Sequence, residues 1–487
     1  MKLKRCICIT FILVSNLFYI QAQKEAYNWF FGYNSGLTWK TTRSLPAVGL
    51  FSTAPNTTLD NLPDFVAGSK IQTHEGCFSL SDSKGDLLFY SDGMTIWDKE
   101  HGVMENGTGL TGDNSSAQSG IILPYPGHPN QYIAVSIKLT TGNLAAYSIV
   151  DMNQNDRLGK VITKNIQFTG HSGVVGESVS SIRHANGKDY WIVAPGRGTS
   201  SYFNAWKVTS EGVQNTSPVI TPIGTDVSAT NNGYLKFTPD GKHFVWGTWH
   251  AKKMFIGDFD TNTGLFSNIT EFPISAYGIE FSASGKYLYF TDNSSTIYAY
   301  DFAALLSNPA TVPVTYSQKI YGAFQLAPDG RIYMAHYTGS NTAAYVIDNP
   351  EEYPDLKIYR IDGFLPNDHF RMGLPSFAAN WFAITIEGAQ SLCVNTTESY
   401  AITLSQSSDT DEIAYTEWDF GDGGSFLKDT NVSSGTQTHS HTYTKPGLYN
   451  ITVRSYLANG MEAASETITV KVNPCVLPVN PNVHLFN

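Results

Sequence analysis

Basic charge, cysteine and long apolar runs are all scarce in this sequence, and each shortage removes a class of function. The 487-residue chain has 31 Lys and Arg against 42 Asp and Glu, a formal net charge of −11. It has no basic surplus to neutralise phosphates, which argues against nucleic acid and against anionic lipid surfaces. Charged residues make up only 15% and aromatics 13%, the balance of a β-rich extracytoplasmic protein. Only one apolar run is long. Cys6–Ile20 is broken by Thr10, Ser15 and Asn16, preceded by Lys2, Lys4 and Arg5, and followed by Gln21-Ala22 before Gln23. This is the three-part layout of a secretory signal peptide over residues 1–22, short of the ~20 residues of a membrane span. The protein is therefore expected to be exported and not membrane-spanning.

Cysteines number five, and Cys6 and Cys8 lie in the leader, too early for a lipoprotein signal. Export permits a disulfide. Cys393 and Cys475 bracket one compact segment and are read as the pair, while Cys77, in the apolar run GCFSL, reads as a buried thiol.

What is abundant is the strand-and-turn signature. Asn231–Gly264 reads as three short strands, Tyr234–Thr238, His243–Thr248 and Met254–Asp260, with a turn at Pro239-Asp240-Gly241-Lys242. The turn recurs at 83–86, 126–129, 185–188, 283–286 and 328–331, each time before an aromatic-rich strand. A spacing of about 40–60 residues is the period of propeller blades. Each turn also follows a short strand that opens on a small residue: Gly76, Gly120, Ser180, Gly233, Gly278 and Gly322. Small residues suit the innermost strand, where backbones converge on the axis. A seventh such segment, Gly373-Leu374-Pro375-Ser376-Phe377, has no blade after it; its missing strands are at the other end of the chain, in 28–32 and 36–39. The expectation is an all-β, seven-bladed propeller over residues 26–384, closed by both termini. A one-residue slip at Gly233 and Gly278 leaves six or eight blades open.

These residues carry a resemblance. The FTPDGK and LAPDGR turns resemble PD40/WD40-like propeller repeats. The opening NWFFGYNSGLTW is similar to the start of an exported propeller family of bacteria with type IX secretion and gliding machinery. Further on, Trp418-Asp419-Phe420-Gly421-Asp422-Gly423 and His441, Tyr443, Pro446, Gly447 and Tyr449 resemble the WDFGDG…HTYxxPGxY pattern of a PKD domain. That resemblance implies an immunoglobulin-like β-sandwich over residues 390–475, followed by a tail, 476–487. Trp418 and Phe420 read as core; Asp419 and Asp422 read as turn-formers rather than metal ligands.

Four constellations bear on chemistry. Asp258–Gly264 resembles the start of a calcium loop, but Thr263 and Ile269 stand where Gly and a carboxylate belong, so it reads as a turn. Ser81–Leu88 does not match the Asp-box of sialidase-type propellers. The stretch His171–His184 gathers Ser172, Glu177, Ser178, Ser180 and Arg183 without a GxSxG elbow or HExxH spacing, and reads as a loop entering an inner strand. Finally, Glu75, Gln118, Val179, Asn232, Tyr277, Tyr321 and Arg371 stand beside the small inner-strand residues and should line one channel mouth. Such a ring suits a peptide or a sugar, or surrounds a water-filled hole.

The reading is a non-enzymatic exported scaffold with no cofactor and no metal. The family resemblance implies a protein partner, an outer-membrane secretion or gliding component. The chain has no room for a further sorting domain, so the expectation is a periplasmic accessory subunit that docks on or closes the type IX translocon. The alternatives are a cell-surface glycan-binding or adhesion protein, and a propeller hydrolase or lyase.

Overall fold

The computed structural model describes residues 24–474 except 83, 139–144, 187, 199–200, 228–232, 293–295, 318–319, 321, 337–341, 367–369, 380–384, 390, 404–412, 433–435 and 458–461. The proposed signal peptide lies outside them. Among the described residues no helix is long and apolar enough to cross a membrane.

One blade shows why the repeat folds as it does. Leu235–Phe237, His243–Thr248, Lys253–Asp260 and Leu265–Phe272 form a four-stranded antiparallel sheet. Alternation puts Phe244 and Trp246 on one face, against Phe203 of the preceding blade at ring distances of 4.8 and 5.6 Å. Val245, between them, joins the core on the other face. Neither face is covered within the blade, so neighbours are obligatory. The Pro239–Lys242 turn holds itself. Gly241 has φ +72°, its N–H donates to Thr238 O, and Asp240 Oδ1 accepts from Lys242 N at 3.1 Å. Asp329 caps Arg331 N identically, and Ser284 Oγ accepts from Lys286 N at 3.2 Å.

Seven blades follow. Two four-stranded sheets and one six-stranded sheet hold one blade each, while the eight- and seven-stranded sheets hold two each. The eight-stranded sheet joins Val103–Thr108 to Lys160–Gln167 through a single parallel pair, Glu105 with Lys160. The seven-stranded sheet joins the last blade (Phe324–Leu326, Ile332–Met334, Ala344–Ile347, Ile358–Ile361) to the N-terminal strands Asn28–Phe31, Ser35–Gly49 and Thr57–Phe65. The joint is Val48 with Arg360 and Gly49 with Tyr359. Both ends of the propeller segment thus close the ring.

The axial segment departs from the expectation in one respect. Gly373–Phe377 does take the seventh inner position: Ala323 N donates to Met372 O at 2.7 Å, Met372 N donates to His74 O at 2.9 Å, and Phe377 lies 6.1 Å from Trp29. Its own amides, however, go elsewhere than to Asn28–Phe31. Ser376 N donates to Cys77 O and Ala379 N to Ser181 O, both at 2.9 Å. The chain therefore leaves its blade and crosses the axis towards the inner strand Ser180–Arg183. The reason is Pro375, which has no N–H to offer a ladder. The channel is filled there by Leu374, Pro375, Ser376 and Ala378, all buried.

The C-terminal region is a two-sheet sandwich. One sheet pairs Thr385–Glu387, Thr397–Thr403 and Thr436–Thr442; the other orders Ser391–Cys393, Glu462–Asn473, Gly447–Leu457, Ile413–Asp419 and Leu427–Asp429. Trp418, Tyr400, Tyr443 and Ile451 are fully buried between them. Asp419 and Asp422 accept from the N–H groups of Gly421 and Gly424, the turn role expected. Asp422 also pairs with His441, which stacks on Phe420 at 4.2 Å, and Tyr443 donates to Phe420 O at 2.8 Å. Tyr449 donates to Lys445 O beside Pro446. Cys77 is free and buried, and burial pushes its thiol up. Cys393 is disulfide-bonded, while its expected partner, Cys475, lies outside the described residues.

The closing contact makes a stability prediction. A Cβ on Gly373 would sit 1.6 Å from Glu75 O, whereas Gly330 has open space but φ +79°. Gly373→Ala is expected to cost about 3 kcal/mol, the upper range for forced overpacking, and Gly330→Ala about 1 kcal/mol of backbone strain. Urea unfolding midpoints of the full chain check the order; equal midpoints would mean the ring does not close on Gly373.

Candidate functional site at the channel mouth

The segments leading into successive inner strands converge at one end of the channel. Their backbones hold each other: Gln118 N donates to Glu177 O at 2.8 Å, Tyr234 N to Tyr277 O at 3.0 Å, and His74 N to Asn114 O at 2.9 Å. Side chains just before the small residues are thereby directed at the mouth.

Of the residues expected to line it, Glu75 and Tyr277 meet at one spot. Tyr277 donates to Glu75 Oε1 at 2.8 Å, and exposed Ser115 donates to Glu75 Oε2 at 2.9 Å. Gln118 reaches across to another blade, where its Oε1 accepts from Leu235 N at 2.8 Å. Glu75, Gln118 and Tyr277 are all buried. Val179 is also buried but sits in the apolar core rather than lining the mouth. Arg371 forms a separate cluster: its guanidinium lies 4.1 Å from the Tyr33 ring centre, and Tyr33 is hydrogen-bonded to exposed His74 Nε2 at 2.8 Å. Asn232 and Tyr321 lie outside the described residues.

The residue that sequence reasoning undervalued is Glu177. It is 1% exposed, one carboxyl oxygen has no hydrogen-bond partner, and its backbone sits at φ +52°. That conformation costs a non-glycine residue of order 1–3 kcal/mol, and such strain gathers at functional sites. Burial first, and then the charge of Glu75, push the Glu177 carboxyl up to about 8, with the Ala117 N–H offsetting part of the rise. Burial also raises Glu75, opposed by its bonds from Tyr277 and Ser115. Two adjacent carboxyls out of water do not readily both ionise.

Below the mouth, Lys236 donates to Glu280 Oε2 and Gln325 Oε1, each at 2.8 Å. The three are buried and tie together the inner strands of three successive blades. The signal for them was a polar residue inside each of the short apolar runs YLKF, IEF and FQL.

The other constellations do not assemble. His171 packs near Trp206 and His184 stacks on Trp191, on either side of the strand Ser180–Arg183. Ser178 donates instead to Gly233 O at 2.7 Å. In 258–264, Asp260 caps Asn262 N and takes the Thr263 hydroxyl, a self-contained turn. Among the described residues no group of three or more His, Cys, Asp or Glu could hold a metal ion.

A PKD domain family model matches residues 383–472. The chain is similar to the PKD domain of an M14-like peptidase from Thermoplasmatales archaeon SCGC AB-540-F20, at 18% identity over 18% of this chain and 91% of that one, TM-score 0.16. It is similar to a putative 6-phosphogluconolactonase from Bacteroides fragilis NCTC 9343, at 12% identity over 81% of this chain and 96% of that one, TM-score 0.36. It is similar also to TolB from Acinetobacter baumannii, at 14% identity over 62% and 66%, TM-score 0.32. No curated protein matches the chain in sequence. The protein is a seven-bladed propeller followed by an immunoglobulin-like PKD domain, and that pairing suggests a protein-binding or adhesion-type role. One expectation is corrected. The reading as a non-enzymatic protein is overturned by the lactonase name of a propeller neighbour, so catalysis is no longer excluded; no activity is carried over from that neighbour.

The acid pair has a measurable signature. Held at about 8 in the fold against an ordinary 4.5, Glu177 keeps its proton on folding between those values. Stability therefore falls as pH rises through that window and levels off above it. Glu177→Gln, an isostere of the protonated acid, should match the parent near pH 4 and exceed it at pH 8. The upper limit of the gain is about 5 kcal/mol, and melting temperatures across pH check it.

Proposed function

We propose that this is an exported binding protein that docks a protein partner on the channel-mouth face of its propeller. The carrying observation is that the chain fills its own channel with Leu374–Ala379, so a partner meets a face rather than a tunnel. That face carries half-buried Tyr33, Arg371 and Trp249 and exposed His74 and His250. Aromatic and Arg side chains of this kind are the usual anchors of protein interfaces. The leader-like start of the chain supports export, and the similarity of its opening to propellers of type IX secretion and gliding bacteria supports an outer-membrane translocon as the setting.

The test is a pull-down from the native host with a C-terminal tag in mild detergent. The reading expects a large outer-membrane barrel in near-stoichiometric amount, and its loss with Tyr33→Ala plus Arg371→Ala while the melting temperature holds. A partner-free monomer in the culture medium would overturn it and favour glycan recognition at the cell surface.

A further inference from the structure

We propose that the Glu75–Glu177 pair at the channel mouth is a receptor for a primary ammonium group, a lysine side chain or N-terminal amine of the docked partner. The inference rests on the mouth being the docking face and adds the chemistry that face selects.

Three observations carry it. The first is the unpartnered Glu177 Oε1 on a residue 1% exposed. A buried carboxyl oxygen without a donor is costly, and a donor supplied from outside relieves it. The second is the missing counter-charge. Neither Glu75 nor Glu177 forms a salt bridge among the described residues; the charged groups facing Glu177 are Glu75, Asp113 and Arg197, with the hydroxyl of Tyr277 beside them. The only cation among these, Arg197, leaves the spot acidic. The third is the shape of the acceptors. Both Glu75 oxygens already accept one bond each, from Tyr277 and Ser115, while Glu177 Oε1 accepts none, so the open acceptor sites are divided between two side chains. A compact ammonium takes single acceptors from separate side chains with its three N–H groups. A divalent metal would want more carboxylate or imidazole ligands than stand here. Aromatic rings complete the spot. Half-buried Trp249 lies 5.7 Å from Tyr277 and can meet an alkyl stem and its cationic end, with fully buried Tyr234 packed behind at 5.8 Å from Tyr277.

A cation beside Glu177 favours its ionised form, so uptake of the ammonium is coupled to release of a proton near neutral pH. This is the readout that a structural role would not produce.

The experiment is calorimetry on the full chain at pH 7 with end-blocked Gly-Lys-Gly, in two buffers of different ionisation enthalpy. Its Nε-acetyl form is the control, and Gly-Gly-Ala amide with a free N-terminus distinguishes the backbone amine from the side chain. The expected result is binding of at least one free-amine peptide with release of about one proton, and none for the acetyl-lysine form. Glu177→Gln should weaken binding about tenfold or more and abolish proton release; Glu75→Gln, which serves if the first variant does not fold, should also weaken it about tenfold. Binding that ignores lysine acetylation with no N-terminal preference, affinity unchanged by a folded variant, or no binding at millimolar peptide would overturn the inference. The partner pull-down is a separate measurement, so the docking reading can stand if this fails.

Discussion

The structure depends on backbones meeting at the axis. Where the inner strands begin, Gly76, Gly278, Gly322 and Gly373 lie against the main chain of the next blade. A Cβ on Gly278 would come within 2.1 Å of Gly322 O, and one on Gly373 within 1.6 Å of Glu75 O. Gly322 in turn abuts Met372 O. No side chain fits between those backbones, which lets the blades approach closely at the axis. The bulk is displaced outward, where Phe203, Phe244, Trp246 and Phe266 interlock between blades.

The same crowding creates the site. Polar side chains near the axis can go only above or below the glycine ring. Below it, Lys236, Glu280 and Gln325 satisfy one another. Above it, Glu75 and Glu177 are left with hydroxyl and amide donors but, among the described residues, no salt bridge. Burying two acids this way opposes folding, and the positive φ of Glu177 adds to the cost. Such an arrangement persists where binding compensates for it. The crossing of residues 374–379 completes the arrangement by closing the channel beneath the mouth.

The fold was legible in the sequence because the repeat is local. Asp240-Gly241 and Asp329-Gly330 make their turns with their own side chains and φ, and the small residues before each strand mark the axis. Even closure by the N-terminal strands followed from counting the pieces. What was not legible lies in contacts between distant segments. The detour of Ser376 and Ala379 across the axis needs the positions of Cys77 and Ser181, and only Pro375 hints at it. Within the site, Glu75 and Tyr277 were identified by their place beside Gly76 and Gly278. Glu177 was dispersed in a stretch whose two histidines drew attention to the wrong chemistry. It stands three residues before Ser180 rather than one, and that offset hid its kinship with Glu75. The exclusion of catalysis rested on missing motifs, which say nothing of a raised carboxyl in a buried pair.

The central claim is that recognition occurs at the mouth and not at the opposite face, where the glycine turns after the inner strands lie. Hydrogen–deuterium exchange of the full chain with and without its captured partner tests this directly. Added protection should fall in 32–34, 73–76, 113–118 and 249–252, with the turns at 239–242, 283–286 and 328–331 unchanged. Protection of those turns with the mouth unaffected would contradict the account.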